Sequence, residues 1–527
     1  MDGQLSMKQK TITQSLSWLH TWFGLVVGWV LFAIFFTGTL AVFDSEIDRW
    51  MHPELPANQL NQAQSAEHAL SYLREHHRDA DIWNIGLPTE RFNALTVSAG
   101  EQRKGAGKVL DAQTGELVDT RETAGGRFFF RFHFTLNMPR NIGIWLVGFA
   151  GMIMLVALIS GIVIHKKIFK DFFTFRPNKG QRSWLDAHNA SGVLLLPFHL
   201  MITYTGLVIF YLIYMPAAMD ALFDGDREAL MRAQRAGPVM ERAASPERGG
   251  RGANHGVKEV SEPAQMIDLA TVIAQAEEKM GPIGGLTITH PDRSNARIDA
   301  RPVLGNRIEL TKGKSMQFDG VTGAIVREPP ESRASQYTQR VMAGLHFAQF
   351  GGYPMRWLYF LCGLISSGMI ATGLLMFTVK RQRRDNADGV LGSWLYHVAE
   401  RLNISVVAGL AVASAAFLWA NRLLPVALSH RAAWEVRVFF IVWLVTLLHA
   451  VIRPRRAAWR EQTAAAAALC LLLPLANLWV MPVQSNWIFE AAVVGLGVLL
   501  AWGAWRTTQQ PQKTERKRAR KVTAEAV

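Results

Sequence analysis

The chain has 527 residues, half of them hydrophobic, a formal charge of +14 and only two cysteines, Cys362 and Cys470. Apolar runs long enough to cross a hydrocarbon core of roughly 30 Å recur along it, which excludes an ordinary soluble globular protein. Both cysteines lie inside such runs, so a disulfide framework, a CxxC metal site and a CxxCH attachment motif are excluded as well.

Eight runs read as spans: about 20–43, 142–165, 188–214, 354–379, 398–425, 434–452, 464–482 and 487–505. The first is too long for the apolar region of a cleaved signal and is followed by Phe43, Asp44 and Ser45 rather than a small-residue cleavage site, so it reads as an uncleaved anchor. Positive charge sits at Lys8 and Lys10, in the connector 166–187, in KRQRR at 380–384, in RPRRAAWR at 453–460 and in a RKRARK tail. These segments alternate as the positive-inside rule requires for an even number of spans with both termini cytoplasmic. The basic tail therefore reads as a membrane-surface or topogenic feature, and no nucleic-acid partner is expected.

Two polar segments, 44–141 and 215–353, fall on the opposite side. In the first, the helical stretch SAEHALSYLREHH precedes strand-like runs IWNIGL, NALTVS and KVLDA and a DAQTGE turn. The second repeats the order with DLATVIAQAEEKM, GLTITH, ARIDARP, SMQFDG and a DGVTGA turn. Each Asp-x-x-Thr-Gly suits a hairpin, because Gly tolerates positive φ while Asp and Thr bond the local backbone. Two related α+β modules are expected, the second carrying a Gly, Arg and Ser rich insertion over 224–262.

A 19-residue pattern recurs at 20–38 (HTWFGLVVGWVLFAIFFTG) and 188–206 (HNASGVLLLPFHLMITYTG), with His first, Gly fifth and Thr-Gly last. The segments HFTLNMPRNIGIWLVG, from His133, and HFAQFGGYPMRWLYFLCG, from His346, also match. Residues up to about 380 thus read as a tandem duplication: span, module, His-Phe, span. Each unit has an even number of spans, so the copies share orientation and relate by a pseudo-two-fold axis along the membrane normal. His20 pairs with His188 near the cytoplasmic face and His133 with His346 near the outer face.

An ionisable side chain facing lipid is costly, so these histidines are expected to face the bundle interior. Neutral imidazoles on facing helices can clamp a haem iron within a four-helix bundle. His199 lies 11 residues after His188, which returns it to within about 20° of the same helix face and ~16 Å along the axis. One helix then supplies ligands at two depths, and two non-covalent haems are expected. His199 corresponds to Leu31 in the first copy, and His165 also has no mate. The inner haem is expected to use His188 with His20 or His165, and the outer to draw on His199, His346 and His133. Another metal, a proton relay or a plain interfacial role are the competing uses of these residues. Gly24, Gly28, Gly148, Gly151, Gly192, Gly363 and Gly368 serve either close helix packing or space for a flat macrocycle. His76, His77, His255, His290 and His430 read as surface groups.

The HxxxG...TG spans, the paired DxxTG modules, LHFAQFGG, and the run SGIVIHKKIFKDFFTFRPNKGQRSWLDAHNASGVLLLPFHLMITYTGL together resemble the PepSY-associated transmembrane family over about residues 10–385. The resemblance implies a bacterial inner-membrane protein with periplasmic PepSY modules, and candidate haem ligands at His20, His133, His165, His188, His199 and His346. Family members include haem-containing ferric-siderophore reductases, and others are known only as iron-regulated membrane proteins.

The expected fold is an all-α polytopic membrane protein of about eight transmembrane helices, with a four-helix haem-binding core and two small α+β PepSY-like periplasmic modules. Its divisions are 1–43, 44–141, 142–214, 215–353, 354–379, a C-terminal membrane extension at 380–510 and a tail at 511–527. The expected function is transfer of electrons from a membrane quinol or cytoplasmic donor, through two haem b groups, to a ferric siderophore or other ferric chelate. Arg127, Arg131, Arg140 and Arg356 flank the outer histidines and suit an anionic chelate, haem propionates or lipid headgroups. His397 and His449 lie near the inner face, where plain structural spans are the first expectation and a site for a quinone or a partner the alternative. The rival expectation is a non-enzymatic PepSY-type regulatory or binding protein attached to an uptake or peptidase complex.

Overall fold

The computed structural model describes residues 11–56, 61–100, 107–165, 176, 180–214, 221, 262–305, 307–311, 313–329, 331–382, 389–479 and 487–509. Nearly all of the expected insertion 224–262, most of the basic connector 166–187 and the basic tail lie outside them. The chain divides into two compact units, one of Met1–Pro53, Arg121–His199 and Cys362–Val527, the other of Glu54–Thr120 and Leu200–Leu361.

The protein is mostly helical, and it is a polytopic membrane protein. Among the described residues, five helices are long and apolar enough to cross a bilayer: Arg140–Ile164, Gly352–Arg381, Gly392–Leu423, Arg431–Ile452 and Trp487–Arg506. Two bent pairs bring the number to seven, Ile12–Val26 with Gly28–Ala41 at 61° and Gln181–Leu194 with Leu196–Ile209 at 67°. The bends fall at equivalent residues of the duplicated pattern. Val27 and Leu195 have ψ of −17° and 17°, opening the helix locally. Pro197 follows only the second bend, so proline alone does not cause the pair. The eighth expected span, 464–482, is a helix Arg455–Leu472 continued by the 3-10 stretch Leu473–Trp479. Its first two turns carry Arg455, Arg456, Arg460 and Glu461, which lower its apolar character below that of the other seven.

Within the first unit, a buried ion pair holds the segment that leads into the His133 helix. Arg431 and Glu435 are both fully buried, 2.6 Å apart. Glu435 also accepts from the Thr123 hydroxyl (2.7 Å), the Ala124 N–H (2.8 Å) and Asn421 Nδ2 (2.9 Å). A buried charge is tolerated where it is paired and hydrogen-bonded in this way. His133 then sits in the last turn of the helix Arg127–Thr135, which ends at left-handed Leu136.

Among the described residues of the second unit, one antiparallel sheet has eight strands: β1 Ile82–Gly86, β2 Leu95–Ala99, β3 Lys108–Leu110, β4 Leu117–Val118, β5 Ile283–Thr289, β6 Arg297–Pro302, β7 Met316–Asp319 and β8 Ile325–Arg327. Their order is β4-β3-β2-β1-β5-β6-β7-β8. The two repeated strand sets therefore join edge to edge, with Trp83 opposite Ile288 and Ile85 opposite Leu286. Joining β1 to β5 leaves each set without an open inner edge. Alternate residues Trp83, Ile85, Val97, Leu286, Ile288, Ile298 and Phe318 are buried in one core with Leu73 and Val272 from the helices Gln62–His76 and Leu269–Met280.

Both Asp-x-x-Thr-Gly segments form hairpin turns. Asp111 Oδ1 accepts from the Gln113 and Thr114 N–H groups at 2.8 and 3.3 Å, and Asp319 Oδ1 from Val321 and Thr322 at 3.1 and 2.9 Å. Gly115 and Gly323 have φ of 76° and 73°, where a Cβ is strained. The Thr322 N–H, ahead of the Val321 N–H and the Arg297 guanidinium, holds the Asp319 carboxyl below the usual carboxylate range against the opposing effect of partial burial. A depressed folded pKa contributes stability that is complete above the unfolded value of about 3.9 and is lost as pH falls through the folded one. Hydrogen exchange at this turn is therefore expected to lose protection below about pH 4. Asp319→Asn should flatten that pH dependence, and an unchanged profile would remove the assignment.

Candidate functional site

Four of the sequence-predicted histidines are held in one recurring way. His20 Nδ1 stands 3.0 Å from the Ala157 carbonyl and 3.0 Å from Ser160 Oγ, and Gly161 packs on its ring. His188 Nδ1 stands 2.8 Å from the Met369 carbonyl and 3.5 Å from Thr372 Oγ1, with Gly373 beneath the ring. His133 Nδ1 meets the Ile34 carbonyl at 2.8 Å over Gly38. His346 Nδ1 meets the Ile202 carbonyl at 3.0 Å and Thr205 Oγ1 at 3.2 Å over Gly206.

Each seat is thus a carbonyl at one position, a Ser or Thr three residues on and a Gly four residues on: ALISG, MIATG, IFFTG and ITYTG. Residues three and four apart share a helix face, which is why the set works as a unit. The hydroxyl bonds back to its own helix, as in Ser160 to Ala157 (3.0 Å) and Thr372 to Met369 (2.8 Å). The glycine admits the ring: a Cβ on Gly38 would stand 2.5 Å from His133 Nδ1, and one on Gly206 2.8 Å from His346 Cε1.

A carbonyl only accepts, so Nδ1 carries the hydrogen in all four rings and the lone pair resides on Nε2. That is the arrangement of a metal-ligating histidine whose second nitrogen is fixed by a backbone acceptor. In the first unit the His20 and His188 ring centres are 6.3 Å apart with planes at 77°. Two imidazoles sharing one metal ion through Nε2 have centres about 6 Å apart, each metal–nitrogen bond being roughly 2 Å. The observed pair has that separation. Among the described residues no group of three or more His, Cys, Asp or Glu is gathered for a metal.

The glycines divide by use. Gly28 packs against the Leu374 side chain and Gly363 against Thr39, whereas a Cβ on Gly24 or Gly368 would meet nothing within 4 Å. Gly24 lies one helical turn after His20 on the same face.

The PepSY-associated TM region model matches residues 17–380. The chain belongs to this family. An uncharacterized protein of Pseudomonas aeruginosa is similar to it, 23% identical over 381 residues that cover 69% of this chain and 89% of that relative. The family match includes every predicted site residue and all four seats, and it ends before the C-terminal helices.

His199 and His165, which break the repeat, are held differently. His199 is fully buried, and its Nε2 stands 2.9 Å from Ser366 Oγ, whose hydroxyl hydrogen goes to the Cys362 carbonyl at 2.6 Å. The serine oxygen therefore accepts, and His199 carries its hydrogen on Nε2, the tautomer opposite to the other four. His165 caps the helix Arg140–Ile164, and the Asn189 amide donates to its Nε2 at 3.3 Å.

Of the four arginines, Arg127, Arg131 and Arg140 are exposed, Arg140 lying over the Phe134 ring at 5.6 Å. Arg356 is buried, with Tyr353 beneath its guanidinium and the Gln349 carbonyl 3.4 Å away. His76 stacks on Tyr72 at 4.2 Å, and His449 bonds Glu461 at 2.9 Å across the turn joining its helix to the next.

Sequence reading found the Thr-Gly ends of the repeated pattern but missed Ser160-Gly161 and Thr372-Gly373. The signal was present: a Ser/Thr-Gly pair recurs in each of the four helices.

Proposed function

We propose that this chain carries electrons across the bacterial inner membrane through two non-covalent haem b groups and reduces a ferric chelate, with a ferric siderophore as substrate, on the periplasmic side. The observation that carries this reading is the His20–His188 pair, each ring fixed through Nδ1 on an equivalent seat and the two centred 6.3 Å apart. Haem bound there would supply the one-electron couple. The chain's own residues hold the imidazole planes, keep Nε2 deprotonated and exclude lipid from between the helices.

The family provides the second support, since it includes haem-containing ferric reductases. His133, in the first unit, and His346, in the second, each occupy a seat of the same construction, and the second haem is proposed from that repeated seat. One electron converts each Fe(III) to Fe(II), and a quinol releasing two electrons and two protons serves two ferric ions. Fe(II) binds hard oxygen ligands less strongly, so the chelate releases its iron.

The test is a reduced-minus-oxidised absorbance spectrum of the full-length protein, expressed with adequate haem and purified. Two b-type haems per chain are expected, reoxidised by a ferric chelate. A preparation with no haem bands removes the redox reading and leaves the regulatory or binding role.

A further inference from the structure

The seats of His20 and His188 match residue by residue, but what lies behind them does not. The residue after Gly161 is Ile162, which is 39% exposed, whereas the residue after Gly373 is Leu374, which is 1% exposed. Leu374 is covered from two directions. Its side chain fits against Gly28, where a Cβ would stand 2.9 Å away, and its carbonyl accepts a hydrogen bond from Asn403 Nδ2 at 3.1 Å.

Asn403 is fully buried, and its Oδ1 accepts from Trp29 Nε1 at 2.8 Å. One amide thus joins three helices: the Trp29 helix Gly28–Ala41, the His188 seat in Gly352–Gln382, and its own helix Gly389–Asn403. An amide within a span is costly unless both its donor and its acceptor are used across helices, and here both are.

The backbone immediately after Asn403 is a π-helix, Ile404–Gly409. Such a wide turn shifts the helix face by one residue, and it is a device found at functional sites. It is held in place by Trp443 Nε1, which donates to the Ser405 carbonyl at 3.0 Å, and by Thr446, which packs on Gly409. All of these residues after Leu374 lie beyond the family match.

We infer that Asn403 is a positioning residue for His188, through which the C-terminal extension fixes the seat Met369–Thr372–Gly373 and makes His188 inequivalent to His20. The inference rests on the proposed haem between those two histidines. A carbonyl neighbouring the seat, held from behind, sets where the Met369 carbonyl and Gly373 present themselves to the ring, and a partner behind a ligand tunes the metal.

The test uses the haem-loaded full-length protein, by potentiometric titration and by electron paramagnetic resonance of the low-spin ferric signals. Asn403→Leu removes both bonds, and one midpoint potential and one low-spin signal are expected to move while the other stays and two haems per chain are retained. Trp29→Phe removes only the bond to Oδ1, and a smaller displacement of the same signal is expected. Superimposable titrations for both variants overturn the inference. So does loss of haem, or equal movement of both signals, because either reports general loosening of the bundle. Should Asn403→Leu fail to accumulate, Trp29→Phe decides alone, an unchanged signal overturning the inference. A natural-sequence protein without haem bands instead defeats the proposed function, a failure seen before any variant is made.

Discussion

His188→Ala is expected to lose one of the two haems, about half of the b-type absorbance, and to leave the other haem in place. The ring is anchored through Nδ1 to the Met369 carbonyl, and the two histidines that break the repeat are engaged elsewhere. His199, on the same span, has Nε2 committed to Ser366. His165 has Nε2 engaged by the Asn189 amide. His20→Ala should therefore match His188→Ala, while His165→Ala should retain both haems. Full haem content in His188→Ala would strike it from the ligand set, and loss in His165→Ala but not His20→Ala would exchange those two.

The second large effect is expected from adding a single methyl group. Gly38→Ala places a Cβ 2.5 Å from His133 Nδ1, well inside van der Waals contact. The ring cannot retreat without lengthening its 2.8 Å bond to the Ile34 carbonyl, the contact that fixes its tautomer. Alanine favours a helix over glycine by roughly 0.5–1 kcal/mol, so the substitution should not melt the helix Gly28–Ala41 for lack of propensity. The expected outcome is a haem-to-protein ratio about one lower, with far-ultraviolet circular dichroism preserved. Unaltered haem content would mean that the seat under His133 serves packing only.

Much of the architecture was legible from residue patterning. Hydropathy found the membrane helices, and the duplicated His, Gly and Thr-Gly positions marked four of the histidines that the structure places on equivalent seats. The two DxxTG turns were legible because their hydrogen bonds close within four residues. Local chemistry of that kind is written in adjacent letters. The eighth span was read from apolar content alone, and the charged opening of Arg455–Leu472 separates that helix from the seven others.

Other features depend on partners that no local pattern names. Strands β1 and β5 are about 200 residues apart in sequence, and their polar backbone groups pair with equal ease to any free edge. Only the folded chain shows that two modules become one sheet. The bends at Val27 and Leu195 lie inside the expected spans 20–43 and 188–214, which were each read as one straight span. Asn403 looks like an ordinary polar residue in a span until Trp29 and Leu374 are seen on either side of it.

The sequence by itself determined that this is a duplicated, polytopic membrane chain of the PepSY-associated family, with histidines at repeated positions. Periodicity, charge and repeat spacing carry that information in the order of residue types. The tertiary structure decided which ring nitrogen each histidine presents. That choice is made by carbonyl groups, which every residue possesses and no letter distinguishes, so only the packing of one helix against another assigns it.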